Sequence, residues 1–148
     1  MWLNQRTLDA IRLMAELSAR WPHAVKAADL AEATGITFLN VQKTAHALAR
    51  AGLTEAERGR YGGLRLARPS HEVKVAEIVR AFEPKDCPAN FLMTDEASDP
   101  VAKLMFRAHR GFFQPLEETT LAEIEPRLIA QGARRGDQDV PRIARLRA

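Results

Sequence analysis

The 148-residue sequence predicts a mainly α-helical fold carrying one small β-wing. Three observations predict it. Apolar residues recur at helical spacing from Leu8 to Leu48, with breaks at Pro22 and Gly35. A glycine-rich basic segment, Arg58-Gly59-Arg60-Tyr61-Gly62-Gly63, lies between two short strand-like runs. A further helical stretch from Pro100 carries an apolar stripe of its own. A helix-turn-helix followed by a basic hairpin is the winged helix-turn-helix arrangement, and the long helix behind it is expected to be a dimerisation helix.

The elements follow in order. Leu8, Ile11, Met14 or Ala15, and Leu17 form the inward stripe expected of the first helix, which ends at Trp21-Pro22-His23 because a residue before proline avoids helical geometry. A short helix from about Lys26 to Ala33 turns Leu30 and Ala31 inward, and Gly35 breaks it. Thr37 suits the cap of the next helix. That helix runs to about Arg50 with Val41, Thr44 or Ala45, and Leu48 inward, and it stops at Gly52. Strands are expected at Leu53–Glu57 and Leu64–Ala67, with a third short one at Val73–Val75 and a helix over Ala76–Phe82.

Residues 84–99 read as a loop with two prolines, four acidic residues and the lone cysteine, Cys87. The long helix starts near Pro100 and carries Val101, Leu104, Met105, Ala108, Phe112 and Leu116 on one side. Thr120 caps a last helix with Leu121, Ile124 and Leu128. The expected organisation is therefore a DNA-binding domain over 1–83, a sensor-type loop over 84–99, and the dimerisation and C-terminal helices over 100–131. Residues 132–148 form an arginine-rich tail expected to be partly disordered.

Composition narrows the function. Hydrophobic residues make up 46% and charged residues 28%, as in ordinary globular chains. No run approaches the length of a membrane span, and the first residues lack the apolar stretch of a signal peptide. One cysteine allows no intrachain disulfide, which fits a reducing compartment; a cytoplasmic protein is expected. The formal charge is only +3, but its distribution is uneven. Between Ile36 and Pro69 stand Lys43, Arg50, Arg58, Arg60, Arg65 and Arg68 against Glu55 and Glu57 alone. A local excess of this kind suits a phosphate-binding surface. No nucleophile–base pair, phosphate loop or paired carboxylates point to an enzyme.

Asn40 and Gln42 are suited to adenine edges, and Arg58 or Arg60 to guanine or a narrow minor groove. Lys43, Arg65 and Arg68 are expected nearer the phosphates. A winged-helix module that binds only proteins is the alternative, and it would call for a neutral or acidic wing.

The motifs carry a resemblance. Ile36-Thr37, the helix end Leu48-Ala49-Arg50-Ala51-Gly52-Leu53, and the wing Arg58-Gly59-Arg60-Tyr61-Gly62-Gly63-Leu64-Arg65-Leu66 resemble the IscR/NsrR group of transcription regulators, the Rrf family. The likeness continues through Val75-Ala76-Glu77-Ile78-Val79, Glu83 and Thr120-Leu121-Ala122-Glu123-Ile124, so it covers about residues 1 to 125. It implies a homodimer clasped through the long helix at Leu104, Met105, Ala108 and Phe112. It implies an inverted-repeat operator in double-stranded DNA, with repression as the expected outcome. Thr37, Leu39 and Gln42 would occupy the groove-facing start of the recognition helix, and Arg58 would begin the wing.

The resemblance also implies an iron–sulfur cluster on three cysteines in the loop before the long helix. In that register this chain has Cys87, Met93 and Asp99. One thiolate argues for a protein without a cofactor; the alternative is a cluster completed by Cys87 and Asp99 with Asp9 or Glu16 of a partner. Cys87 then reads as the remnant of a lost site, or as a redox-sensing thiol and so the sensor candidate.

Overall fold

The computed structural model describes residues 3–60, 62–83 and 100–125. Helix α1 (Gln5–Ala19) begins at Asn4, whose Oδ1 accepts the Thr7 N–H at 2.9 Å. That bond satisfies one of the amides a helix start leaves without a partner. The helix buries Thr7, Ala10, Leu13, Met14, Ala15 and Leu17 and packs against α2 (Ala27–Thr34), α3 (Phe38–Arg50) and the helix that follows the wing. The inward stripe is rotated from the expected one. Leu8 is exposed, because Thr7 takes the first inward position and donates from its hydroxyl to Glu83 Oε1 at 2.6 Å.

Helix α2 buries Leu30 and closes on Gly35, whose N–H donates to the Ala31 carbonyl at 2.9 Å. Gly35 sits at φ 68°, a left-handed conformation that a side chain disfavours even though space around it is open. Thr37 does stand at the start of α3, but its side chain makes no capping bond. Val41, Thr44 and Leu48 anchor this helix in the core.

The hairpin pairs β1 (Thr54–Glu57) with β2 (Gly63–Leu66), antiparallel, in the register Thr54↔Leu66, Glu55↔Arg65, Ala56↔Leu64 and Glu57↔Gly63. Leu53 is buried just before the first strand. Val25 and Leu64 exchange both backbone hydrogen bonds at 2.8 Å, so the segment before α2 docks along the wing. A β-carbon on Gly63 would lie 2.4 Å from the Val25 carbonyl oxygen, so this close approach needs glycine.

After a 3-10 turn at Ser70–Glu72, α4 (Val75–Phe82) begins earlier than expected. The short strand expected at Val73–Val75 does not form. Glu77 Oε1 accepts the Lys74 N–H at 2.9 Å, a bond from the third helical residue that starts the helix at Val75. In place of a strand, Lys74 forms an isolated bridge with Thr120.

Helix α5 (Pro100–Glu118) packs on α4. Its inward face is Ala102, Phe106, His109 and Phe113, at helical spacing. Phe113 is buried with Val75, Ala76 and Val79, and Phe112 and Leu116 pack against the same cluster. The stripe expected as one surface therefore divides: Phe112 and Leu116 turn toward α4, while Val101, Leu104, Met105 and Ala108 remain exposed. Beyond α5 the chain returns to α4. The Leu121 N–H donates to the Val73 carbonyl at 2.8 Å, and Leu121 is buried in the main core with Leu13, Leu17 and Ile78. The Thr120 N–H donates to Glu123 Oε2 at 2.9 Å, and residues 121–125 are helical. Tyr61, the loop with Cys87, Met93 and Asp99, Leu128 and the arginine-rich tail lie outside the described residues. Among the described residues, no helix is long and apolar enough to cross a membrane.

Candidate nucleic-acid interface

Once Val41, Thr44 and Leu48 are buried, helical geometry fixes which side chains of α3 face outward. They are Leu39, Lys43, His46 and Arg50 along one line, with Phe38, Asn40 and Gln42 beside it; all are exposed, as is Thr37. The helix contains no acidic residue, in contrast to α2 with Asp29 and Glu32. The structure thus brings Thr37, Leu39, Asn40, Gln42 and Lys43 onto one surface. Phe38 and His46 belong to that surface too. Sequence reasoning passed over Phe38, although the stripe at Val41, Thr44 and Leu48 already places its neighbour Leu39 opposite the core.

The wing continues the surface, but its four arginines are not equivalent. Arg58 and Arg60 stand exposed at the hairpin tip. Arg65 lies across the ladder from Glu55, with Nη2 2.8 Å from Glu55 Oε2 and Nε 2.8 Å from Glu57 Oε1. Two carboxylates offset its charge, so Arg65 braces the two strands, and the phosphate contact expected of it would compete with these pairs. The signal was present in the sequence: Glu55 and Glu57 are two residues apart and share a strand face, and the hairpin register sets Arg65 against it.

Arg68 likewise turns inward. It pairs with Glu77 and donates from Nε to the Glu72 carbonyl at 3.3 Å. Burial alone would push the Glu77 carboxyl up. The Arg68 guanidinium, the Lys74 N–H and the nearby Arg80 charge outweigh burial and hold it below its ordinary value. The exposed arginines of the wing are thus the two at its tip, Arg58 and Arg60.

The described part of the implied cluster site does not suit iron and sulfide. The chain has a single cysteine, so three thiolates cannot be supplied from one protomer. The carboxylates of α1 that could substitute are already engaged. Asp9 accepts from Gln5 Nε2 at 2.7 Å and lies 3.5 Å from Arg12, and Glu16 lies 2.5 Å from Arg20. Among the described residues no group of three or more His, Cys, Asp or Glu side chains is placed to hold a metal ion.

Comparison with known proteins identifies the architecture. IscR from T. potens superposes with a TM-score of 0.69 at 19% identity, covering 95% of this chain and 93% of its own. CymR (YrzC), the global cysteine regulator of B. subtilis, superposes with a TM-score of 0.68 at 20% identity, covering 85% and 97%. At these identities the two structures establish the fold. In sequence, Protein aau3 of Rhizobium meliloti (strain 1021) is 28% identical over 130 residues, which is 84% of each chain. The model of the Rrf2 family, described as an iron-dependent transcriptional regulator, matches residues 3–126. With that match spanning most of its length, the chain belongs to the Rrf2 family and is a transcription regulator, not an enzyme.

Proposed function

We propose that this protein binds an inverted-repeat operator in duplex DNA as a homodimer and represses the adjoining genes. The observation that carries the reading is the outward face of α3, acid-free and lined by Leu39, Gln42, Lys43, His46 and Arg50, continued by Arg58 and Arg60 at the wing tip. A helix of this character fits the major groove while the wing reaches an adjoining groove or phosphates. The exposed stripe Val101, Leu104, Met105 and Ala108 on α5 supplies the surface for a two-fold partner. Two-fold symmetry in the protein asks for two-fold symmetry in the site. A wing tip built on arginine also disfavours a module that binds only proteins.

Selection of purified protein on random duplexes tests the reading. An inverted repeat should be enriched, and its binding should weaken steeply with added salt as phosphate contacts release counterions. A selection that enriches no duplex site overturns the proposal.

Operator occupancy in this reading is independent of an iron–sulfur cluster, because the donor set suits one poorly. Protein purified without oxygen should be colourless, and Cys87→Ser should keep its operator affinity under reducing conditions. A brown protein with stoichiometric iron and sulfide would show that Cys87 and Asp99 have found further ligands.

A further inference from the structure

We propose that Phe38 and Leu39 read thymine methyl groups in the major groove, which makes them specificity-determining residues; the proposal rests on the DNA-binding reading above. Both occupy the first turn of α3, and they are 49% and 59% exposed. Single exposed apolar side chains are ordinary on protein surfaces. Two adjacent large ones at the leading end of a helix, Leu39 opposite its buried anchors and Phe38 on the flank beside it, are a feature to be explained.

Their surroundings select the occupant. Leu39 is followed at helical spacing by Lys43, His46 and Arg50, and Asn40 and Gln42 lie beside it. No acidic residue interrupts the helix. The surface is therefore apolar at its tip, amide-bearing next to it and cationic along its length. A major groove presents the complementary set. Phosphates flank it, the N7 acceptor and N6 donor of adenine suit a side-chain amide, and the C5 methyl of thymine is the apolar feature on the base edges. An amide on adenine and an apolar side chain on the paired or neighbouring thymine are satisfied together at A·T pairs. The geometry thus points to half-sites with A·T pairs under the start of α3. Gln42 or Asn40 would take the purine, and Phe38 and Leu39 the methyl groups.

Replacing thymine by deoxyuridine removes the methyl group and leaves base pairing unchanged, so it isolates the contact. The full-length protein is titrated with its selected site after each thymine is replaced in turn. One methyl lost from an apolar contact should weaken binding about fourfold, and about fifteenfold when both half-sites are substituted. Phe38→Ala and Leu39→Ala remove exposed side chains, so both variants should melt with the parent. Leu39→Ala should bind the thymine and uracil sites alike, and Phe38→Ala should lose the dependence at a neighbouring position. The inference is overturned if the parent is indifferent to every replacement, or if both variants keep its full sensitivity. A selected site without methyl dependence removes this inference and leaves the DNA-binding reading standing. Failure to select any duplex removes both.

Discussion

Phe38 and Leu39 at the start of α3, and Val101, Leu104, Met105 and Ala108 on α5, all leave apolar side chains in solvent, yet their neighbours differ. The α3 pair is set among Asn40, Gln42 and Lys43, so apolar and polar groups alternate within one turn. On α5 the apolar residues recur at intervals of three and four, and Lys103 and Arg107 flank the stripe without interrupting it. An uninterrupted stripe is best covered by another of the same period, which a second copy supplies. A mixed patch is better matched by a surface that is itself mixed, such as the floor of a groove. Exposure alone would not separate the two; Leu104 is 64% exposed and Leu39 59%.

The strongest way to break the comparison is to charge the uniform stripe. Leu104→Asp should convert the dimer to monomers in sedimentation. It should also lower operator affinity about a hundredfold or more, since each half-site then binds without the other. A variant that remains dimeric would move the interface off this stripe. A second test asks whether exposed cations act differently from paired ones. Arg58→Ala should cost about 1–3 kcal/mol of operator binding if it reads a base or a narrow groove. Arg65→Ala should cost a few tenths of a kcal/mol at about the level of a surface ion pair, and should loosen the hairpin instead. Equal losses from the two would show that Arg65 leaves Glu55 and Glu57 to meet DNA.

The smallest expected effect concerns the joint between wing and α4. The carboxyl of Glu77 titrates below its ordinary 4.5, so its contribution to stability is present above that value and is lost as pH falls through the lower, folded value. The side chain is 37% exposed, so solvent screening limits the contribution to about a few tenths of a kcal/mol. Thermal melts of the parent and Glu77→Gln should differ at neutral pH and converge in acid. A constant difference down to the acid limit would show that the carboxylate charge contributes nothing at this joint.

Much of the architecture was legible in the order of residues. Pro22, Gly35 and Gly52 separate the first three helices because each acts on its own backbone. The outward face of α3 followed from Val41, Thr44 and Leu48, since helical period is also a local property. The glycine-rich hairpin was visible for the same reason. Phe38 was not legible as part of this face, because helical period sets it beside the line that Leu39 begins and its exposure is decided by packing.

What the residue order could not decide depends on partners distant in the chain. Arg65 and Arg68 were expected near phosphates, and only the strand register and the approach of α4 supply their ion-pair partners Glu55, Glu57 and Glu77. Val73–Val75 alternates like a strand, yet Glu77 caps the Lys74 amide and the helix starts there. The period of α5 revealed apolar positions but not how they divide, because a helix that packs on α4 along Phe113 has two apolar faces. Gly63 belongs to both levels. Its place in a turn-rich segment was evident from the sequence, but only the fold brings the Val25 carbonyl so close that no side chain fits. Local geometry is encoded within a few residues; charge pairing and burial require the chain to meet itself, and there tertiary packing overrides local pattern.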